Sequence, residues 1–158
     1  MDTRSVIRNT KTLSGARVST AVAFGLQGFL LAVLLTQLPQ FKDDLGFSDS
    51  LVAATVVGIS IVAGVGSVLA EQLAKATSSR TTLRTGLFVI AVGAAVIALA
   101  TSTPAFLAAF ALYGIGLGIV DAAANMQAVS IQHAYGRVIL SSFHASWSVG
   151  AIIGAGYV

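Results

Sequence analysis

An all-α, polytopic transmembrane bundle of about five helices is the fold the sequence predicts, and three observations carry it. Hydrophobic residues make up 56% of the 158 and charged residues only 9%, against about 25% charged in ordinary soluble domains. The apolar residues are gathered into long runs with almost no Lys or Arg, each near the roughly 20 residues that cross about 30 Å of hydrocarbon as a helix. The basic residues cluster between these runs, the pattern of a topology signal rather than of a nucleic-acid surface. Strands of a membrane barrel, about 10 residues of alternating polarity, do not fit runs this long and this uniformly apolar.

Residues 1–17 form a basic N-terminal segment and residues 18–158 the transmembrane bundle. The first span is expected at 18–38. It is longer than the roughly 7–15 apolar residues of a cleavable signal and shows no small-residue cleavage site, so it stays in the protein. The second and third spans are expected at 51–74 and 83–100. The third has no strongly polar side chain between Thr85 and Ala100, and it is expected to face lipid. The fourth runs over 104–131. The fifth, 142–158, offers about 25 Å of helix before the chain stops still apolar, which reads as a helix cut short, with further C-terminal helices of the same protein as its missing partners.

Orientation follows from the basic residues. Arg4, Arg8, Lys11 and Arg17 precede the first span, Lys75, Arg80 and Arg84 surround the second connection, and Arg137 lies in the fourth. Only Lys42, beside Asp43, Asp44 and Asp49, falls on the other side. The positive-inside bias therefore predicts a cytoplasmic N-terminus.

The chemistry concentrates in the fourth and fifth spans. Asp121 is an ionisable residue inside an apolar run, where a central Asp costs about 2.5–3.5 kcal/mol on insertion scales, so it should face a bundle interior or a watery cavity. Gly114, Gly118, Asp121 and Asn125 are spaced four, three and four apart, which aligns them on one helical stripe. The competing reading of Asp121 and Asn125 is a structural hydrogen bond between helices. Ser142, Ser146, Gly150 and Gly154 recur every four residues, a small-residue face suited to close helix packing. His144, Trp147 and Ser148 occupy the neighbouring face; Trp147 and His144 read either as membrane-border residues or as the rim of a cavity. Gln27 lies near the middle of the first span, where an unpaired amide is costly, and serves either as glue between helices or as a ligand contact.

Several classes are excluded. Cysteine is absent, so neither disulfides nor Cys-based metal sites arise. No metalloprotease, phosphate-loop or nucleophile-elbow motif is present, and Gly114-Ile-Gly-Leu-Gly lies in a helix rather than after a strand. No enzyme, metal or cofactor is implied.

Two stretches then bring a family into view: Gly116-Leu-Gly118-Ile-Val-Asp121-Ala-Ala-Ala-Asn125 and Ser142-Phe-His144-Ala-Ser-Trp147-Ser-Val-Gly150. Together they resemble the N-terminal half of major facilitator superfamily transporters, in particular the branch of sugar- and fucose-permease-like proteins of the bacterial inner membrane. Elsewhere the chain departs from the pattern. The stretch from Gly66 to Arg84 keeps glycine and basic residues but lacks the family's loop Asp and second Gly, and the first span ends Leu34-Leu-Thr-Gln37-Leu-Pro39. The resemblance implies five of the six helices of a half-transporter, working by alternating access on a small polar solute, with a sugar among the candidates and proton coupling among the mechanisms it allows. It implies Asp121 as the protonatable residue and Asn125, Gln27, His144 and Trp147 as solute contacts. The other class left open is a membrane scaffold or accessory subunit, in which Asp121 only pairs with another helix.

Overall fold

The computed structural model describes residues 3–157, with side chains from Thr12 onward. The side chains of Arg4, Arg8 and Lys11, and the chain end at Val158, lie outside the described residues. Within them the chain is five helices and no strand: α1 (Thr3–Leu45), α2 (Asp49–Ala76), α3 (Ser79–Ala98), α4 (Thr103–Tyr135) and α5 (Leu140–Gly156). The first four are long and apolar enough to cross a membrane, and α5 is shorter, at 17 residues. This is an integral membrane protein.

The helices overrun the apolar runs, and the reason is local. Hydropathy marks the stretch buried in hydrocarbon, whereas the backbone stays helical until a cap or breaker stops it. The 43 residues of α1 extend past 18–38 at both ends and carry Pro39 inside, at the cost of one backbone hydrogen bond. α2 and α3 begin where Ser48 and Ser78 accept hydrogen bonds from the backbone N–H of Leu51 and Thr81, each at 3.2 Å, so α3 starts four residues before the expected 83. α4 opens with Pro104 in its first turn and closes on Gly136, whose φ of 62° is the left-handed cap that glycine adopts without strain. The Gln132 side-chain oxygen then accepts from the backbone N–H of Ile139 and Leu140, both at 3.0 Å, and starts α5. Between α1 and α2, Lys42 donates to Asp49 at 2.5 Å, and this ammonium holds the Asp49 carboxyl below its ordinary range.

α4 is the central helix, with the largest set of buried residues. α2 and α3 pack on its two sides, and α5 packs on α1. α3 corrects the expectation that it simply faces lipid: Thr82, Leu83, Gly86, Ile90, Gly93 and Ile97 form a buried stripe against α4, while Phe88, Val92 and Val96 face outward. An apolar helix carries no mark distinguishing its lipid face from its packed face except small residues, here Gly86 and Gly93.

The packing repeats. A Cβ on Gly28 would collide with the Trp147 carbonyl, and one on Gly118 with the Ala63 carbonyl; Gly150 meets the Gly25 carbonyl as Gly66 meets that of Ile115. A shift of 90 residues takes Gly25 and Gly28 to Ile115 and Gly118, and a shift of 84 takes Ala63 and Gly66 to Trp147 and Gly150. The α1–α5 contact is thus the α4–α2 contact seen a second time. Because short connections make successive helices antiparallel, α1 and α4 run in opposite directions, and the two units are related by an axis in the membrane plane.

Candidate functional site

A cavity of about 500 Å³ opens between α1, α2, α4 and α5. α1 presents Phe24, Gln27 and Leu31 to it, at helical steps of three and four. α4 presents Leu117, Gly118 and Asp121, and α5 presents His144 and Trp147. α2 contributes Ser60, Gly64 and Ser67, again on one stripe. α3 takes no part.

The polar centre of the cavity is a pair. Gln27 Nε2 donates to Asp121 Oδ1 at 3.2 Å, across the α1–α4 boundary. A carboxylate only accepts, so this contact fixes the amide orientation and turns Gln27 Oε1 away as a carbonyl acceptor. That oxygen has no partner, although Gln27 is only 4% exposed. Asp121 is open to the cavity, two residues past the middle of α4 at Ile119. Under the 90-residue shift Gln27 corresponds to Leu117 and Leu31 to Asp121, and all four line the cavity. The repeat therefore supplies two pairs of equivalent positions, and in each pair sequence makes one member polar and leaves the other leucine.

The surrounding groups hold this centre in place. Ser67 Oγ donates to the carbonyl of Ala63 at 3.1 Å and reaches that of Gly118 at 3.3 Å, tying α2 to α4. The Phe24 ring stacks on Phe143 at 5.7 Å between centroids and receives His144 edge-on at 5.3 Å. Trp147 is half-buried, and its backbone carbonyl is the one seated on Gly28. Among the described residues no Lys or Arg lines the cavity, and no group of three His, Cys, Asp or Glu could hold a metal.

The residues singled out by sequence separate into three groups here. Asp121, Gln27, His144 and Trp147 come together around one cavity. Asn125 does not line it: its Nδ2 donates to the Asp121 backbone carbonyl at 2.9 Å, a bond back along its own helix. Gly118, Gly150 and Gly154 lie directly against backbone carbonyls of neighbouring helices, Gly114 meets Ile59 and Val62, and Ser146 bonds back to the Ser142 carbonyl at 3.1 Å. Sequence reasoning passed over Phe24, Ser60 and Ser67. The α2 residues had a readable signal, since Ser60, Gly64 and Ser67 form a small and polar stripe in an otherwise apolar helix.

Residues 2–155 match the Major Facilitator Superfamily. The chain is similar to an uncharacterized MFS-type transporter of Yersinia pestis, at 35% identity over 149 residues, which is 90% of this chain and 37% of that one. It is also similar to an uncharacterized transporter of Sinorhizobium fredii, at 28% identity over 140 residues, covering 87% of this chain and 37% of that one. The chain thus spans little more than a third of the length of these relatives. No solved structure matches it.

Proposed function

Because the chain belongs to the major facilitator superfamily, we propose that it supplies most of the N-terminal bundle of a secondary active transporter, not an enzyme, that carries a small polar solute of sugar size by alternating access. In this reading a second bundle, formed by further helices of the same protein, faces the cavity. The two rock about it in turn. The protein sits in a bacterial inner membrane with its N-terminus in the cytoplasm. Asp121 takes and releases the coupling proton, while Gln27, His144 and Trp147 touch the solute; Asn125 steadies the Asp121 backbone from one turn away. The observation that carries the reading is the Gln27–Asp121 pair. It is a polar centre contributed by both repeat units, with Gln27 buried and Asp121 open to the cavity, and it lies near the middle of the long helices.

Reconstitution tests this. The chain alone in liposomes should give no saturable uptake, since it lacks the opposing bundle, whereas a longer protein containing it should transport. Robust uptake by the isolated chain would sink the half-bundle reading.

The proposed orientation is tested separately, and the absence of cysteine makes this simple. Ser50→Cys and Thr77→Cys place single thiols at exposed positions beside the first and second connections. A membrane-impermeant maleimide should label position 50 in intact cells and position 77 only after the membrane is opened. Reversed labelling would overturn the orientation.

A further inference from the structure

We propose that this cavity recognises a protonated organic monoamine, its ammonium seated between the Gln27 carbonyl oxygen and the Asp121 carboxylate and its carbon skeleton against Trp147. The proposal rests on the transporter reading above and names the solute class. Four features lead to it.

The first is the unmet hydrogen bond. Gln27 Oε1 is a buried acceptor with no donor, and Asp121 has an oxygen beyond the one engaged by Gln27 Nε2. Both groups ask for donors. An ammonium carries three N–H donors on one atom, whereas a hydroxyl carries one. The second is charge. Among the described residues Asp121 is the only carboxylate lining the cavity, no Lys or Arg lines it, and His144 is the one other titratable group there. An anion would meet the carboxylate directly. Beside a neutral polyol the charge is offset only when Asp121 takes up a proton, whereas a cation offsets the carboxylate directly.

The third feature is the aromatic wall. Trp147 is half-buried and lines the same space, with the fully buried Phe24 behind it, and the face of an indole ring attracts ammonium groups. The fourth is the broken symmetry of the repeat. Leu31 and Leu117 occupy the positions equivalent to Asp121 and Gln27, so the cavity holds one charged centre, not two, while Ser60 and Ser67 line it from α2. Its volume of about 500 Å³ admits a molecule of hexose size.

Trp147 is the single tryptophan of the chain, so its fluorescence reports on this cavity alone. The purified chain in lipid nanodiscs at pH 7 would be titrated with D-glucamine, D-sorbitol and D-gluconate, which present a cation, a hydroxyl and an anion on one six-carbon frame. D-glucamine should half-saturate the Trp147 signal at a concentration at least tenfold lower than D-sorbitol, and D-gluconate should give no saturable change. Asp121→Asn should remove the preference for the amine, bringing D-glucamine to the D-sorbitol level. Should that variant fail to fold, Gln27→Leu gives the second reading, with D-glucamine weakened about tenfold. Equal responses to D-glucamine and D-sorbitol, or a stronger response to D-sorbitol, would overturn the amine class while leaving the cavity as a solute site. Silence toward all three in a folded wild-type chain would overturn both.

Discussion

In a full-length transporter containing this chain, Asp121→Asn should abolish accumulation driven by a pH gradient while leaving exchange at saturating solute intact. The amide has the shape of the protonated acid but cannot release a proton, so the solute still crosses and the gradient no longer drives it. With one proton moved per solute, a gradient of one pH unit sustains about tenfold accumulation, because one unit corresponds to about 1.4 kcal/mol. The mutant ratio should fall to about one. A solute weakened by loss of the carboxylate is compensated by measuring exchange at saturation. If instead the Gln27–Asp121 hydrogen bond at 3.2 Å only glues α1 to α4, the substitution should act on yield and thermal stability, and the protein that still folds should concentrate solute as before. Intact gradient-driven accumulation in folded Asp121→Asn would reject proton coupling at this residue and favour the scaffold role for the pair.

How much of this was legible in the sequence differs by kind of information. Helix existence and order could be read because hydrocarbon imposes a length and a composition on anything that crosses it. Helix ends were less legible. They depend on caps such as Ser48, Ser78 and Gly136 and on continuation into water, as where α1 passes through Pro39. Asp121 stood out because a charge in an apolar run is rare. Gln27 stood out because an unpaired amide is costly in hydrocarbon, but that the two are partners 94 residues apart follows only from the packing of α1 on α4. Asn125 shows the limit of periodicity: its spacing places it on the Asp121 stripe, yet the helical carbonyl one turn back, which has a second lone pair, takes its amide. The repeat was also hidden. Its equivalent positions share close backbone approach more than residue identity: Gly28 matches Gly118 and Gly66 matches Gly150, but Gly25 corresponds to Ile115 and Ala63 to Trp147.

That close approach carries the largest expected effect on stability. Gly118→Ala adds one methyl group where the Ala63 carbonyl already lies. Nothing flexible can yield, since the obstacle is backbone on α2. The helices must separate, which loosens the contact of Ser67 Oγ with the Gly118 carbonyl at 3.3 Å and the dispersion contacts on either side. In lipid no hydrophobic force presses the helices back together, so van der Waals contact between small residues provides most of what holds the pair. Overpacking of this kind costs about 1–3 kcal/mol, against a gain of up to about 1 kcal/mol from replacing a helical glycine by alanine. Gly58→Ala supplies the control on the same pair of elements. Nothing lies within 4 Å of a Cβ there, so only the gain remains and stability should stay level or rise. The two substitutions are chemically identical and should move the unfolding temperature of the detergent-purified chain in opposite directions, with Gly118→Ala lowering it by about 2–4 °C per kcal/mol lost. Gly28→Ala, the repeat-equivalent change on α1 against the Trp147 carbonyl, should behave like Gly118→Ala. A Gly118→Ala protein that unfolds at or above the wild-type temperature would show that α2 and α4 do not approach as closely as this packing requires.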